Sequence, residues 1–303
     1  MDSNRSNGQP QYRTPGVQPE ILPPLEGPDR TGLGGSRPAG PPPGEQPRSR
    51  GGWAVAPATY ILVGINCVVF LYMALRGVST TNPRADQLLY FGADNGGLVL
   101  QYGEWWRLVT ATFVHVGVIH LATNMWCLWN LGLLGEPLLG PIGTLAVYLL
   151  TGVAGNLLSI AVNPDLPGGP HAVVGAGASG AVFGIAGVLI LLLKSKLLPV
   201  PEYELKRLRR SVIYFAALNF LIGASTLLVP SLIRIDNMAH LGGFLSGLTL
   251  GVPLVPRIGS ARPDFVRRQW IAFGGMMFLV FVLVPYSSNI NQIFLPILTK
   301  YVL

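Results

Sequence analysis

Seven apolar stretches constrain this chain more than anything else in it, each close to the roughly 20 residues needed to cross about 30 Å of hydrocarbon at ~1.5 Å per residue. They fall near 54–75, 108–135, 141–162, 175–194, 211–230, 237–255 and 270–287. Inside lipid every backbone N–H and C=O must be satisfied within the protein, so segments of this kind cross as helices. Composition agrees: half of the 303 residues are hydrophobic and only 12% are charged, about half the charged share of an ordinary globular protein. The expected fold class is all-α, a polytopic protein whose solvent is the lipid bilayer.

The net charge of +7 comes from basic clusters between the apolar stretches rather than from one soluble face, so it reads as topology and not as a nucleic-acid surface. Lys194, Lys196, Lys206, Arg207, Arg209 and Arg210 occupy the connection 194–210, and Arg257, Arg262, Arg267 and Arg268 the connection 256–269. Lys and Arg accumulate on the cytoplasmic side. Both connections are therefore expected in the cytoplasm together with the N-terminus, and an odd number of spans then places the C-terminus outside. The first loop, about 76–107, lies outside too; Trp105 and Trp106 suit a headgroup-level anchor there, and Asp94 is expected to be accessible to solvent. Residues 1–52 are rich in Pro, Gly and Arg and read as a disordered tail. That tail carries acids and has no apolar core, which argues against a signal or transit peptide and favours a bacterial cytoplasmic membrane. Cys67 and Cys127 lie mid-way along apolar stretches and read as packing residues.

The polar residues within the spans are few, and they converge on one depth. Ser179 lies fifteen residues from Lys194, ~22 Å of helix, which leaves its hydroxyl ~8 Å below the outer edge of a ~30 Å core. His240 lies seventeen residues from Arg257, ~25 Å, on a span that also runs inward. Gly180 and Gly184 on one span, and Ala239, Gly243 and Gly247 on the other, form rows of small residues that let helix backbones meet. His120 and Asn124 stand four apart, on one helical face, again in the outer half. A serine within reach of an imidazole is the minimum for nucleophilic catalysis, and an imidazole and a carboxamide facing it can donate to an oxyanion.

Read singly these residues have plainer explanations: Ser179 as a packing serine, His120 and Asn124 as interhelical glue, His115 as a loop anchor, His171 as a loop residue. Together they match a pattern. Gly177-Ala178-Ser179-Gly180, the run Ala239-His240-Leu241-Gly242-Gly243, His115 with His120 and Asn124, and Trp106-Arg107 resemble the motifs of the rhomboid family of intramembrane serine proteases, in order and in spacing. The resemblance implies a six-helix protease core over 53–256. Residues 257–303, with the seventh span, resemble the family variant that has one extra C-terminal helix. It also implies Ser179 as nucleophile, His240 as general base, His120 and Asn124 as the oxyanion pair, and Gly177, Gly180, Trp106, Arg107, Phe183 and Gly243 as supporting structure. Phe183 departs from members that carry Tyr stacked on the catalytic His; the ring remains, so the stack is expected to survive. Asp236, one turn outward of His240, is conceivable as an orienting acid, although the family works as a dyad.

The implied activity is endoproteolysis of transmembrane proteins near the outer face, with no cofactor and no metal. An intramembrane Cys pair, HExxH or a chain of charges, which metal chemistry or ion transport would need, does not occur. The rival reading is a catalytically inactive relative that binds transmembrane clients, and the presence of both Ser179 and His240 weighs against it. Oligomeric state is not encoded in any of these features.

Overall fold

The structure, a computed structural model, describes residues 56–163, 174–195, 197–198, 200–225, 235–255, 262–280 and 282. The tail 1–52, His171, and the far ends of the fifth and seventh spans lie outside the described residues. Helices α1 (Pro57–Leu75), α2 (Ala85–Tyr90), α3 (Gly96–Leu100), α4 (Arg107–Thr110), α5 (Val118–Val162), α6 (Ser179–Leu192), α7 (Glu202–Ser225) and α8 (Asn237–Leu254) follow in chain order. A further helical run covers 262–280. The chain is an all-α integral membrane protein, as expected.

α1 and α5 are long and apolar enough to cross a bilayer. Ile61, Val68, Leu71 and Leu75 on α1, and Tyr214, Leu218 and Leu221 on α7, turn outward, the pattern of helices whose solvent is hydrocarbon rather than water. The start of α1 is tied down from a distance. Pro57 opens it without an N–H to satisfy, and the buried Glu136 carboxylate accepts from Ala58 N (2.8 Å), Thr59 N (2.7 Å) and Thr59 Oγ1 (2.7 Å). A negative group at a helix N-terminus also complements the helix dipole.

Several boundaries differ from those expected. The second span was expected from 108, but residues 107–117 form the short α4 and a turn that ends at Gly117 (φ 146°), and the long helix begins only at Val118. The second and third spans then run on as α5, broken at Gly140 (φ 76°, ψ 164°) between Pro137 and Pro141. α6 begins at Ser179 rather than 175 and has 14 residues, only ~21 Å of helix. Residues 174–177 lead into it in an extended path: Asp94 N donates to Gly175 O (2.9 Å) and Gly175 N to Asp94 O (3.0 Å). α7 starts nine residues before the apolar stretch, so Lys206, Arg207, Arg209 and Arg210 lie on a helix and not in a loop. Good helix formers, Glu202 and Glu204 in the first turn, and an ion pair between Lys206 and Glu202 (3.0 Å) carry it into the polar segment. The final helix likewise starts at 262 instead of 270.

That last helix closes the break in α5. Gln269 is buried, and its Nε2 donates to Leu139 O (2.8 Å), a carbonyl left without a helical partner just before Gly140. Arg268 Nε donates to Pro253 O (3.3 Å) at the end of α8. Phe273 and Met276 join the main core. Gln269→Leu should cost about 1–3 kcal/mol by stranding the Leu139 carbonyl. Unfolding in detergent or bicelles measures it; unchanged stability would mean that water reaches that carbonyl.

The loop between α1 and α5 is a folded unit. Arg107 is buried, pairs with Glu104, and donates from one terminal nitrogen to Leu89 O (2.6 Å) and Ala93 O (2.8 Å), while its guanidinium lies 4.4 Å from the Trp106 ring centre. Arg107 thus ties the loop together at the carbonyls of Leu89 and Ala93, with the Trp106 ring laid on its guanidinium. Trp106 is 51% exposed, whereas Trp105 packs against the cluster of Val99, Leu108, Leu157 and Ile160, so only the former is placed as an interfacial ring. Asp94 is not accessible as expected: it is 2% exposed.

Candidate active site

α6, α8 and the second half of α5 meet where glycines remove the side chains between them. A Cβ on Gly243 would collide with Gly180 O, and one on Gly247 with Gly184 O; one on Gly251 would touch the Val188 Cα (3.3 Å). Both helices therefore advance by four residues at each contact in the same direction, and they run parallel, backbone against backbone. Ser179 and His240 each adjoin a residue of this seam, since the Gly180 position faces Ala239 O (3.3 Å). The register puts His240 within about half a turn of the level of Ser179, ~3 Å along the axes. Gly155 of α5 packs on Ala239 O from the third side. The small rows on α6 and α8 were legible in the sequence, but the α5 glycines Gly152 and Gly155 were not singled out.

His240 is 5% exposed and held by rings. Phe183, one turn beyond Ser179 on α6, stacks on it at 4.3 Å and 19°, as expected of the retained ring. Phe220 of α7 meets it edge-on at 6.1 Å and also packs on Phe183 at 4.7 Å. Because Ser179 and Phe183 share a face of α6, a ring lying flat on Phe183 stands on the serine's side of the helix. The Nδ1 atom of His240 has no hydrogen-bond partner among the described residues. Asp236 does not reach it: one carboxylate oxygen caps α8 by accepting from Ala239 N (2.9 Å), and the other accepts from Ser159 Oγ. An orienting-acid role for Asp236 is replaced by a capping one.

The segment before Ser179 is set by two histidines. His115, fully buried, makes hydrogen bonds at both ring nitrogens, with Phe113 O at Nδ1 (3.2 Å) and with Ala178 N–H donating to Nε2 (3.4 Å). This is the loop anchor the sequence suggested, with the ring accepting from the peptide next to Ser179. His120 lies against Gly177, where the backbone has φ 129° and a Cβ would press on the imidazole. Its Nδ1 accepts from Val116 N (3.4 Å). Asn124 Nδ2 donates to His120 O (2.9 Å), which occupies one of its two amide hydrogens. The first-turn N–H groups of α6, Ser179's among them, precede the helix's own hydrogen bonding. Serine, imidazoles, carboxamide and free amides thus gather at the N-terminal ends of α6 and α8.

The sequence has relatives among known proteins. The Rhomboid domain family model matches residues 102–257, more than half of the chain, and the chain belongs to the rhomboid family. Rhomboid protease GluP of Bacillus subtilis is 30% identical over 203 residues, 67% of this chain and 36% of that protein. Rhomboid protease AarA of Providencia stuartii is 29% identical over 208 residues, 65% of this chain and 72% of that protein. RHOMBOID-like protein 6, mitochondrial, of Arabidopsis thaliana is 31% identical over 203 residues, 65% of this chain and 59% of that protein. The match takes in about a third of the Bacillus protein. The relatives named as proteases here are bacterial, and the plant relative is named only as rhomboid-like.

Proposed function

We propose that this chain is a serine endopeptidase that cuts transmembrane proteins within the membrane, with Ser179 as nucleophile and His240 as general base. The single observation that supports the reading is the seam of Gly180, Ala239 and Gly243, from whose register Ser179 and His240 lie within about half a turn of each other on touching helices. His240 takes the hydroxyl proton as Ser179 Oγ attacks the scissile carbonyl, then returns it to the leaving amine. The tetrahedral oxyanion receives hydrogen bonds from the Ser179 N–H, His120 and the free amide hydrogen of Asn124, with the N-terminus of α6 adding its positive end. A second cycle, with water in place of the amine, hydrolyses the acyl-enzyme. Phe183 and Phe220 keep the imidazole in the plane the transfer needs.

The proteolytic core on this reading is 53–256, with 257–303 as the added helix and tail. The N-terminus faces the cytoplasm of a bacterium, and the Ser179 end of the bundle faces outward. Losing one oxyanion donor costs about 10²–10³ in kcat, so Asn124→Ala should be slow and not dead. A kcat equal to that of the wild type would return Asn124 to its structural bond with His120.

A regular helix hides its carbonyls in internal hydrogen bonds, and opening it in lipid is costly. A nucleophile ~8 Å below the surface therefore acts on substrates whose outer third unwinds readily, and Gly or Pro there lowers the cost. The test is incubation of the full chain in lipid vesicles with a transmembrane substrate series in which Gly and Ala of that third are replaced by Leu, the cut being mapped by mass spectrometry. Rates should fall along the series, with the cut in the outer third. Flat or rising rates would place recognition elsewhere, and no cleavage of any member would favour a client-binding relative.

A further inference from the structure

One buried acid stands outside the proteolytic machinery described so far and touches its frame. Asp94 lies in the loop between α1 and α5, is 2% exposed, and its Oδ2 has no hydrogen-bond partner among the described residues. Its backbone pairs in both directions with Gly175, four residues before Ser179. Its carboxyl covers the Gly175 Cα so closely that a Cβ there would overlap Oδ1. We propose that Asp94 is a positioning residue for Ser179, its buried carboxyl and its backbone bridge to Gly175 holding the 174–177 segment against the loop; this rests on the proteolytic reading above.

The charges around it explain why the uncharged form belongs there. Burial is the largest influence and the Asp236 carboxylate the next, and together they raise the Asp94 pKa to about 7, against weaker help from the Gly175 amide and Arg107. Among the described residues Arg107 on α4 is the one cation acting on it, and it is committed to Glu104, Leu89 O and Ala93 O. Asp236 faces it from the cap of α8, and residues 174–177 bring no titratable side chain. A carboxylate formed at Asp94 has no donor at Oδ2 among the described residues and repels the cap of the helix that carries His240. Because the folded-state pKa lies above the ordinary aspartate value of 3.8, this group favours the fold fully below that value and progressively less as pH rises through about 7. Ionisation therefore loosens the Gly175 bridge and, with it, the approach to Ser179.

The test uses the full chain in vesicles, as wild type and as Asp94→Asn, which keeps the shape and cannot ionise. Two readouts are followed from pH 5.5 to pH 8.5: kcat on one transmembrane substrate, and hydrogen exchange in the 174–178 segment after correction for intrinsic exchange. In the wild type kcat should fall by about tenfold per pH unit above the transition, and protection of the segment should fall with it. Asp94→Asn should stay within twofold in both readouts across the range. Indistinguishable pH profiles for the two proteins in kcat and in exchange would overturn the proposal, as would loss of activity in Asp94→Asn at every pH with the exchange unchanged. Should the variant not fold, wild-type protection that stays flat through pH 7 overturns it alone. A wild type that cuts nothing, yet shows the pH-dependent exchange that Asp94→Asn lacks, would overturn the proteolytic reading while supporting the hold of Asp94 on the segment.

Discussion

Ser179→Ala and His240→Ala should each lower proteolysis by a factor on the order of 10⁴ or more, and the double variant should be no worse than either single one. Groups that act as a unit lose their joint effect once either is removed. Neither substitution should disturb the fold: Ser179 is half-buried at the first residue of α6 and alanine differs from it by one oxygen, and the α6–α8 seam runs through Gly180 and Gly243 rather than through either side chain. His240→Ala does empty the space beside Phe183 and Phe220. His240→Asn keeps part of that volume and should be equally inactive. Additive losses in the double variant would mean that the two residues serve different steps.

The second large effect is expected at a position with no chemistry. Gly243→Ala adds one methyl group where the backbone of Gly180 already lies, including its Cα at 3.0 Å from the new Cβ. Backbone on both sides cannot step away as a flexible side chain would, so the helices must separate. Overpacking of this kind costs about 1–3 kcal/mol, and a displacement near 1 Å between reacting groups costs about 10² in rate. Gly243→Ala should therefore keep its helices, unfold more readily and lose on the order of 10²-fold in kcat, while Gly274→Ala, where nothing lies within 4 Å, should be neutral. A fully active Gly243→Ala would show that Ser179 and His240 do not depend on this seam.

How much of this was legible beforehand follows from what each feature depends on. The apolar helices among the described residues were, because a bilayer demands a run of apolar residues whatever the neighbours do; α8 was expected at 237–255 and is Asn237–Leu254. Ends set by tertiary bonds were not. The start of α6 at Ser179 depends on the pairing of Gly175 with Asp94, eighty-one residues away in sequence, and the start of α1 on Glu136. A basic segment such as 202–210 reads as a loop by hydropathy, though its residues are good helix formers. The meeting of α6 and α8 could be inferred from small residues at matching depth; the third wall, Gly152 and Gly155 of α5, carried the same signal and was passed over because no polar residue stood beside it. The Phe220 ring against His240 and the burial of Asp94 had no local signature, since both depend on which helices become neighbours.

The most direct measurement of the central claim is covalent. A fluorophosphonate reacts with a serine hydroxyl only where a base takes its proton and an oxyanion site receives the phosphoryl oxygen. Treatment of the full chain in detergent or vesicles, followed by peptide mass spectrometry, should place one adduct on Ser179, with none in His240→Ala. An adduct on a different serine in protein that cleaves its substrate, or labelling of Ser179 that is unchanged in His240→Ala, would contradict the Ser179–His240 dyad.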